Sequence, residues 1–125
     1  MSENEISKVV FDLCLSIHKK YGPGLFESVY EELVCYELKK MNISFTRQQG
    51  IALVHEEIKM DIGFRADVII ENKVILELKS VEVLSQVHHK QLLTYLKLAD
   101  LKLGLLINFN VNLMKDGIHR IVNKL

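Results

Sequence analysis

In the N-terminal third of the chain, hydrophobic positions recur at the helical period. Ile6, Val9, Val10, Leu13 and Ile17 fall on one stripe, which predicts an amphipathic helix over residues 4–20. Tyr21-Gly-Pro-Gly24 stops it. Phe26, Val29, Tyr30, Leu33, Val34, Leu38 and Met41 then resume the period in a second helix that closes on Lys39-Lys40, where cations suit the helix C-terminus. After Asn42 the residues turn β-branched and alternating, which predicts strands near 44–49, 51–60, 63–70 and 74–79 as an antiparallel meander. Residues 84–99 return to the helical period. The run 103–108 is apolar and short enough for a buried strand, and Lys115-Asp-Gly117 reads as a hairpin turn before a last strand near 118–123. The expected order is ααββββαβββ.

Composition narrows the classes. The chain has 125 residues, with 16 Lys+Arg against 16 Asp+Glu and 49% hydrophobic residues, ordinary for one globular domain over residues 1–125. Zero formal net charge argues against a polybasic binder that neutralises many phosphates, so any nucleic-acid contact is local. No apolar stretch reaches the roughly 18–20 residues that span a bilayer, and the acidic start Met1-Ser-Glu-Asn-Glu5 is unlike a signal peptide, so a cytoplasmic protein without membrane contact is expected. Cys14 and Cys35 sit in apolar helical segments without CxxC spacing and read as small buried hydrophobes. Phosphate-loop, dinucleotide, HExxH and GxSxG signatures are all absent.

The chemistry rests on acids inside apolar strands. The pattern Glu-x-Lys occurs at Glu37, Glu57, Glu71 and Glu77, but only Glu77 follows an apolar strand that carries an Asp. Asp67 lies among Phe64, Ala66, Val68, Ile69 and Ile70, and Glu77 among Val74, Ile75, Leu76 and Leu78. A buried carboxylate needs a cation or hydrogen bonds to offset its desolvation. With a three-residue loop at Glu71-Asn72-Lys73, Ile70 pairs with Val74, Ile69 with Ile75, and Asp67 stands opposite Glu77, where like charges repel. A two-residue Asn-Lys loop would shift the register by one and separate the acids. Period-two alternation places Lys79 on the face of Glu77, so the group suits Mg²⁺ or equally a buried Asp67–Lys79 or Glu77–Lys79 salt bridge. Glu27, in the first turn of helix two, reads as a solvated acid favoured by the dipole. His88, Gln91 and Tyr95 share one helical stripe beside Leu84, Leu92 and Leu96, a placement that boundary packing also explains. His88 and His89 are adjacent and cannot share a helix face, so they do not make a zinc pair.

Gly24-Leu-Phe-Glu27-Ser-Val-Tyr30 matches the GxxExxY signature of a family of small prokaryotic proteins. The match continues through Phe64-Arg-Ala-Asp67, Ile75-Leu-Glu77-Leu-Lys79, Gln91-Leu-Leu-Thr-Tyr95-Leu and Gly104-Leu-Leu-Ile-Asn-Phe109. The chain therefore resembles that family, placed within the PD-(D/E)XK nuclease superfamily, and its Gln-x-x-x-Tyr is similar to the motif of RecB-like exonuclease domains. The resemblance implies an α/β (α+β sandwich) fold with a restriction-endonuclease-like core, a mixed β-sheet flanked by helices. It implies that Asp67, Glu77 and the Leu78 backbone carbonyl ligate Mg²⁺ or Mn²⁺, with Glu27 as a further ligand or holding a water on the metal. By the same resemblance Lys79 orients or helps deprotonate the attacking water, Gln91 positions the lysine or the phosphate, and Tyr95 supports it. The implied activity is metal-dependent phosphodiester hydrolysis, with DNA rather than RNA as substrate.

Ala66 replaces the proline of the PD motif, and a strand accepts it. With only Arg47, Arg65 and Arg120 as arginines and no basic tract, a second copy or a partner protein would help hold the substrate. The competing expectation is a catalytically silent binding or regulatory module that keeps the nuclease fold and acts through a partner protein or nucleic acid.

Overall fold

Helix α1 (Glu3–Tyr21) starts where Ser2 and Glu5 cap each other: the Glu5 N–H donates to Ser2 Oγ at 3.1 Å and the Ser2 N–H to Glu5 Oε1 at 2.8 Å. It ends at Gly22, whose φ of 74° is open to glycine. The computed structural model describes residues 1–125. Helix α2 (Glu27–Lys40) follows, then β1 (Phe45–His55), β2 (Ile58–Ile70), β3 (Val74–Lys79), α3 (Gln86–Ala99), β4 (Leu103–Asn108), a 3₁₀ turn at Met114–Asp116 and β5 (Ile118–Val122).

All five strands form one mixed sheet in the order β1-β2-β3-β4-β5. β3 and β4 run parallel, joined through α3, and the other neighbours are antiparallel. One face packs Val68, Ile70, Val74, Leu76, Leu78, Leu103, Leu105 and Ile107 against α1 and α2. The other presents Ile69, Ile75 and Leu106 to Leu92 and Leu96 of α3. The result is a sheet between two helical layers, the α+β sandwich expected of a PD-(D/E)XK-like core.

The element order differs from ααββββαβββ in two places. The segments 44–49, 51–60 and 63–70 are not three strands but the two long strands β1 and β2, joined at Glu56-Glu57 with His55 opposite Ile58. Gly50 and Gly63, which resemble strand ends, lie instead at an irregularity: Ile62-Gly63-Phe64 stand opposite the single residue Ile51. Gly63 has φ 76°, and its N–H donates to Asp61 Oδ1 at 2.8 Å. Only two strands follow α3. Lys115-Asp-Gly117 is not a tight hairpin turn but the end of a longer loop, 109–117, containing the 3₁₀ turn.

Cys14 and Cys35 are free and buried, and burial pushes both thiols up, that of Cys35 to about 11. No helix is long and apolar enough to cross a membrane.

The seat of α3 depends on Gly104. A Cβ there would lie 2.9 Å from Leu92 Cγ, so the missing side chain lets the helix approach β4. Gly104→Ala is expected to overpack this contact and lower stability by about 1–3 kcal/mol. Urea unfolding would show this as a lower midpoint at unchanged slope.

Candidate active site

Hairpin β2–β3 brings the two strand acids together. Its register is Ile70↔Val74, Ile69↔Ile75 and Val68↔Leu76, as a three-residue loop requires, and Glu71 and Asn72 in that loop take φ of 49° and 53°. Continued by one step, this register sets Asp67 opposite Glu77. There the backbone pairing gives way to side chains: the Leu78 N–H donates to Asp67 Oδ2 at 2.8 Å, and the Asp67 N–H reaches Glu77 Oε2 at 3.4 Å. Asp67 thus replaces a ladder partner of β3, and the strand geometry turns the Leu78 carbonyl toward the same side as its N–H.

Glu77 is buried, at 6% exposure. Its carboxyl is pushed up to about 9, first by desolvation, then by the neighbouring Asp67 charge and a hydrogen bond to Asp67; Lys79 opposes the shift only weakly. Glu77 and Lys79 line one cleft of about 200 Å³ with Phe64, Leu106 and the α3 residues His88, Gln91, Leu92 and Tyr95. Two of these, Glu77 and Leu106, are paired on adjacent parallel strands. Tyr95 stacks on Phe64 with ring centroids 3.4 Å apart and planes 15° from parallel. Burial and the Glu77 charge both raise the Tyr95 phenol. His88 enters the first turn of α3, where its Nδ1 accepts the Ser85 N–H at 3.2 Å. Asp67 joins from outside this lining, through Glu77.

Glu27 is placed differently. Its Oε2 accepts the Ser80 N–H at 2.9 Å, one residue past β3. Leu78 and Ser80 are alternate residues whose N–H groups face the same way, so Asp67 and Glu27 dock along one edge of the chain, roughly 7 Å apart by strand rise. Tyr30 sets this approach. It is fully buried and stacks on Phe109 at 4.0 Å, while its hydroxyl accepts the Leu25 N–H at 3.1 Å and donates to the Gly22 carbonyl. The turn before α2 is thereby fixed, and Ser80 Oγ donates to the Leu25 carbonyl at 3.2 Å. From the far side, buried Asn108 clamps Val81 through both its N–H and its carbonyl.

A family model of the PD-(D/E)XK nuclease superfamily matches residues 4–121. The chain belongs to the PD-(D/E)XK nuclease superfamily. No curated protein and no solved structure matches it. Nucleases of the superfamily generally use divalent metals.

The residues fit such an ion by the chemistry of their donors. Asp67 and Glu77 offer hard carboxylate oxygens on neighbouring strands, the Asp67 N–H reaching Glu77 Oε2, and no ion pair neutralises Glu77 when it ionises. No third His, Cys, Asp or Glu side chain completes a cluster with them, so Glu27 stands apart from the pair. Main chain, water or substrate oxygens would fill the remaining positions, as Mg²⁺ commonly requires.

Two features, one in the cleft and one behind Asp67, are not legible in the residues alone. Phe64 is legible there only as an apolar neighbour of Asp67, because a stack across the sheet onto α3 has no local signature. The second is Gln48, whose Nε2 lies 3.3 Å from Asp67 Oδ1. It sits in an exposed polar run, Thr46-Arg-Gln-Gln49, that carries no motif.

The raised Glu77 pKa has a stability consequence. The folded chain holds a proton on Glu77 that the unfolded chain releases near the ordinary carboxylate value, so the contribution of Glu77 to metal-free stability is complete below that value and is lost as pH rises toward about 9. Thermal melts from pH 5 to 9 in EDTA are expected to show this fall. Glu77→Gln should flatten it, and saturating Mn²⁺ should reduce it in the wild type.

Proposed function

We propose that this chain is a Mg²⁺- or Mn²⁺-dependent nuclease that hydrolyses phosphodiester bonds, with DNA as its substrate. The observation that carries the reading is the contact of Asp67 with buried Glu77 beside a cleft that also holds Lys79, Gln91 and Tyr95. Within the superfamily we assign it to the GxxExxY proteins, on Glu27 and Tyr30 at the start of α2 and the spacing of the later motifs.

Asp67, Glu77 and the Leu78 carbonyl would hold the ion, which when bound supplies Lewis acidity that makes water a nucleophile near neutral pH and offsets charge on the phosphate. Lys79 orients the attacking water as an ammonium that also favours the negative charge growing on the phosphate oxygens, the water's proton passing to solvent, or in its neutral form takes that proton itself. Gln91, one helical turn from Tyr95 on α3, donates from its amide to Lys79's target phosphate or holds the lysine in place. Tyr95 is fixed by its stack on Phe64 and offers its hydroxyl at the cleft. Glu27, held by the Ser80 N–H, places a further carboxylate at the end of β3, where it can hold water. Water adds to phosphorus, the bond to the leaving sugar oxygen breaks, and that oxygen takes a proton from solvent.

Purified protein is expected to bind Mn²⁺ in isothermal titration and to cleave DNA only with a divalent ion. The Asp67→Ala/Glu77→Ala protein should lose binding while keeping its circular dichroism spectrum. Asp67→Ala and Lys79→Ala, each folded, should lower cleavage by roughly 10²–10³-fold. Cleavage that survives both single changes overturns the assignment. Nucleic-acid or protein binding that needs no metal and persists in Glu77→Gln, without cleavage, would replace it with a silent binding module, which the zero net charge favours.

A further inference from the structure

β1 breaks its ladder beside Asp67. Arg47 pairs with Val68 and Gln49 with Ala66, but Gln48 between them adopts φ 53°, a left-handed conformation uncommon for a residue with a side chain. The break carries the Gln48 amide to two carboxylates at once: Nε2 is 2.8 Å from Glu31 Oε1 and 3.3 Å from Asp67 Oδ1. Glu31 is itself buried on α2, at 8% exposure. Its other oxygen accepts Arg47 Nε at 3.0 Å and Arg47 Nη2 at 2.8 Å, and Arg47 also reaches Glu32 at 2.9 Å.

We propose that Gln48 is a positioning residue for the metal site: Glu31, anchored by Arg47, orients the Gln48 amide so that it holds Asp67 in ligating position. The inference rests on the nuclease reading above. A carboxylate only accepts hydrogen bonds, so two carboxylates fix which end of the amide is the nitrogen and use both of its N–H groups. Asp67 then has one oxygen on Gln48 and the other on the Leu78 N–H. Both oxygens are fixed from the strands on either side of β2, and each keeps a lone pair for a cation. Outer partners of this kind commonly contribute 10–100-fold to metal affinity. A main-chain conformation that favours glycine, occupied by glutamine, fits a side chain retained for its amide.

Gln48→Gly tests the proposal, because glycine adopts φ 53° without strain. Relieved strain opposes the loss of two hydrogen bonds, so the variant is expected to melt near the wild-type temperature and to bind Mn²⁺ 10–100-fold more weakly by isothermal titration. A residue with a merely structural role would leave the affinity unchanged at that stability. Gln48→Met, similar in length but without donors, should lose the same affinity and decides the matter if the glycine variant melts lower. Wild-type affinity in either folded variant overturns the proposal. Absence of Mn²⁺ binding in the wild type, with Asp67→Ala/Glu77→Ala as the control, overturns the nuclease reading and this proposal with it.

Discussion

Two carboxylates held side by side, one of them almost fully buried, are the constraint around which this sheet is arranged. Asp67 and Glu77 interrupt strands that are otherwise apolar, at a depth where two negative charges would repel strongly, so without a cation the pair keeps a proton on Glu77. The chain does not relieve this with a salt bridge of its own. Its ion pairs lie elsewhere, chiefly Arg47 with Glu31 and Glu32 and Lys8 with Asp12. What it supplies near the acids is main-chain N–H groups and one amide, which orient carboxylates without neutralising them. On the proposed nuclease reading, a cation from outside would complete such a group.

The surrounding layers follow from that need. β3 sits centrally in the sheet, and its end must stay fixed while its β2 neighbour yields to side chains. Parallel pairing with β4 continues to Lys79↔Asn108, so one flank of β3 remains fully laddered while the other opens. Beyond it, Asn108 grips Val81 and Glu27 meets Ser80, which joins the site to the buried Tyr30–Phe109 stack of the helical layer. On the opposite face, the absent side chain of Gly104 lets α3 lie close enough to bring Gln91 and Tyr95 over Glu77. Rigid packing on both faces thus converges on a polar notch that has little internal stabilisation.

Much of this was legible in the residues. All three helices and the strands at 74–79 and 103–108 announce themselves by period and length, and the length of the Glu71-Asn72-Lys73 loop sets the register that brings Asp67 to Glu77. Period two likewise puts Glu77 and Lys79 on one face, and both line the cleft. The long β1–β2 ribbon was not legible, for two physical reasons. Its turn at Glu56-Glu57 has a left-handed residue, Glu56, without the Gly or Asn that usually marks one, and its glycines serve a bulge rather than strand ends. Gln48 and Glu31 were hidden because their value lies in a meeting between a helix and an edge strand distant in sequence. The parallel joining of β3 and β4 entered only through the family resemblance, since a short apolar run does not state its direction.

The broken ladder of β1 also bears on solubility. β1 is an outer strand of the sheet, and an unbroken outer strand of its length would present a row of free main-chain groups to any passing extended chain. Left-handed Gln48 and the irregularity between Gly50 and Ala52 interrupt that row. A foreign strand would find no continuous row to pair with, so the same kink that sets the Gln48 amide against Asp67 also shortens the edge open to such pairing.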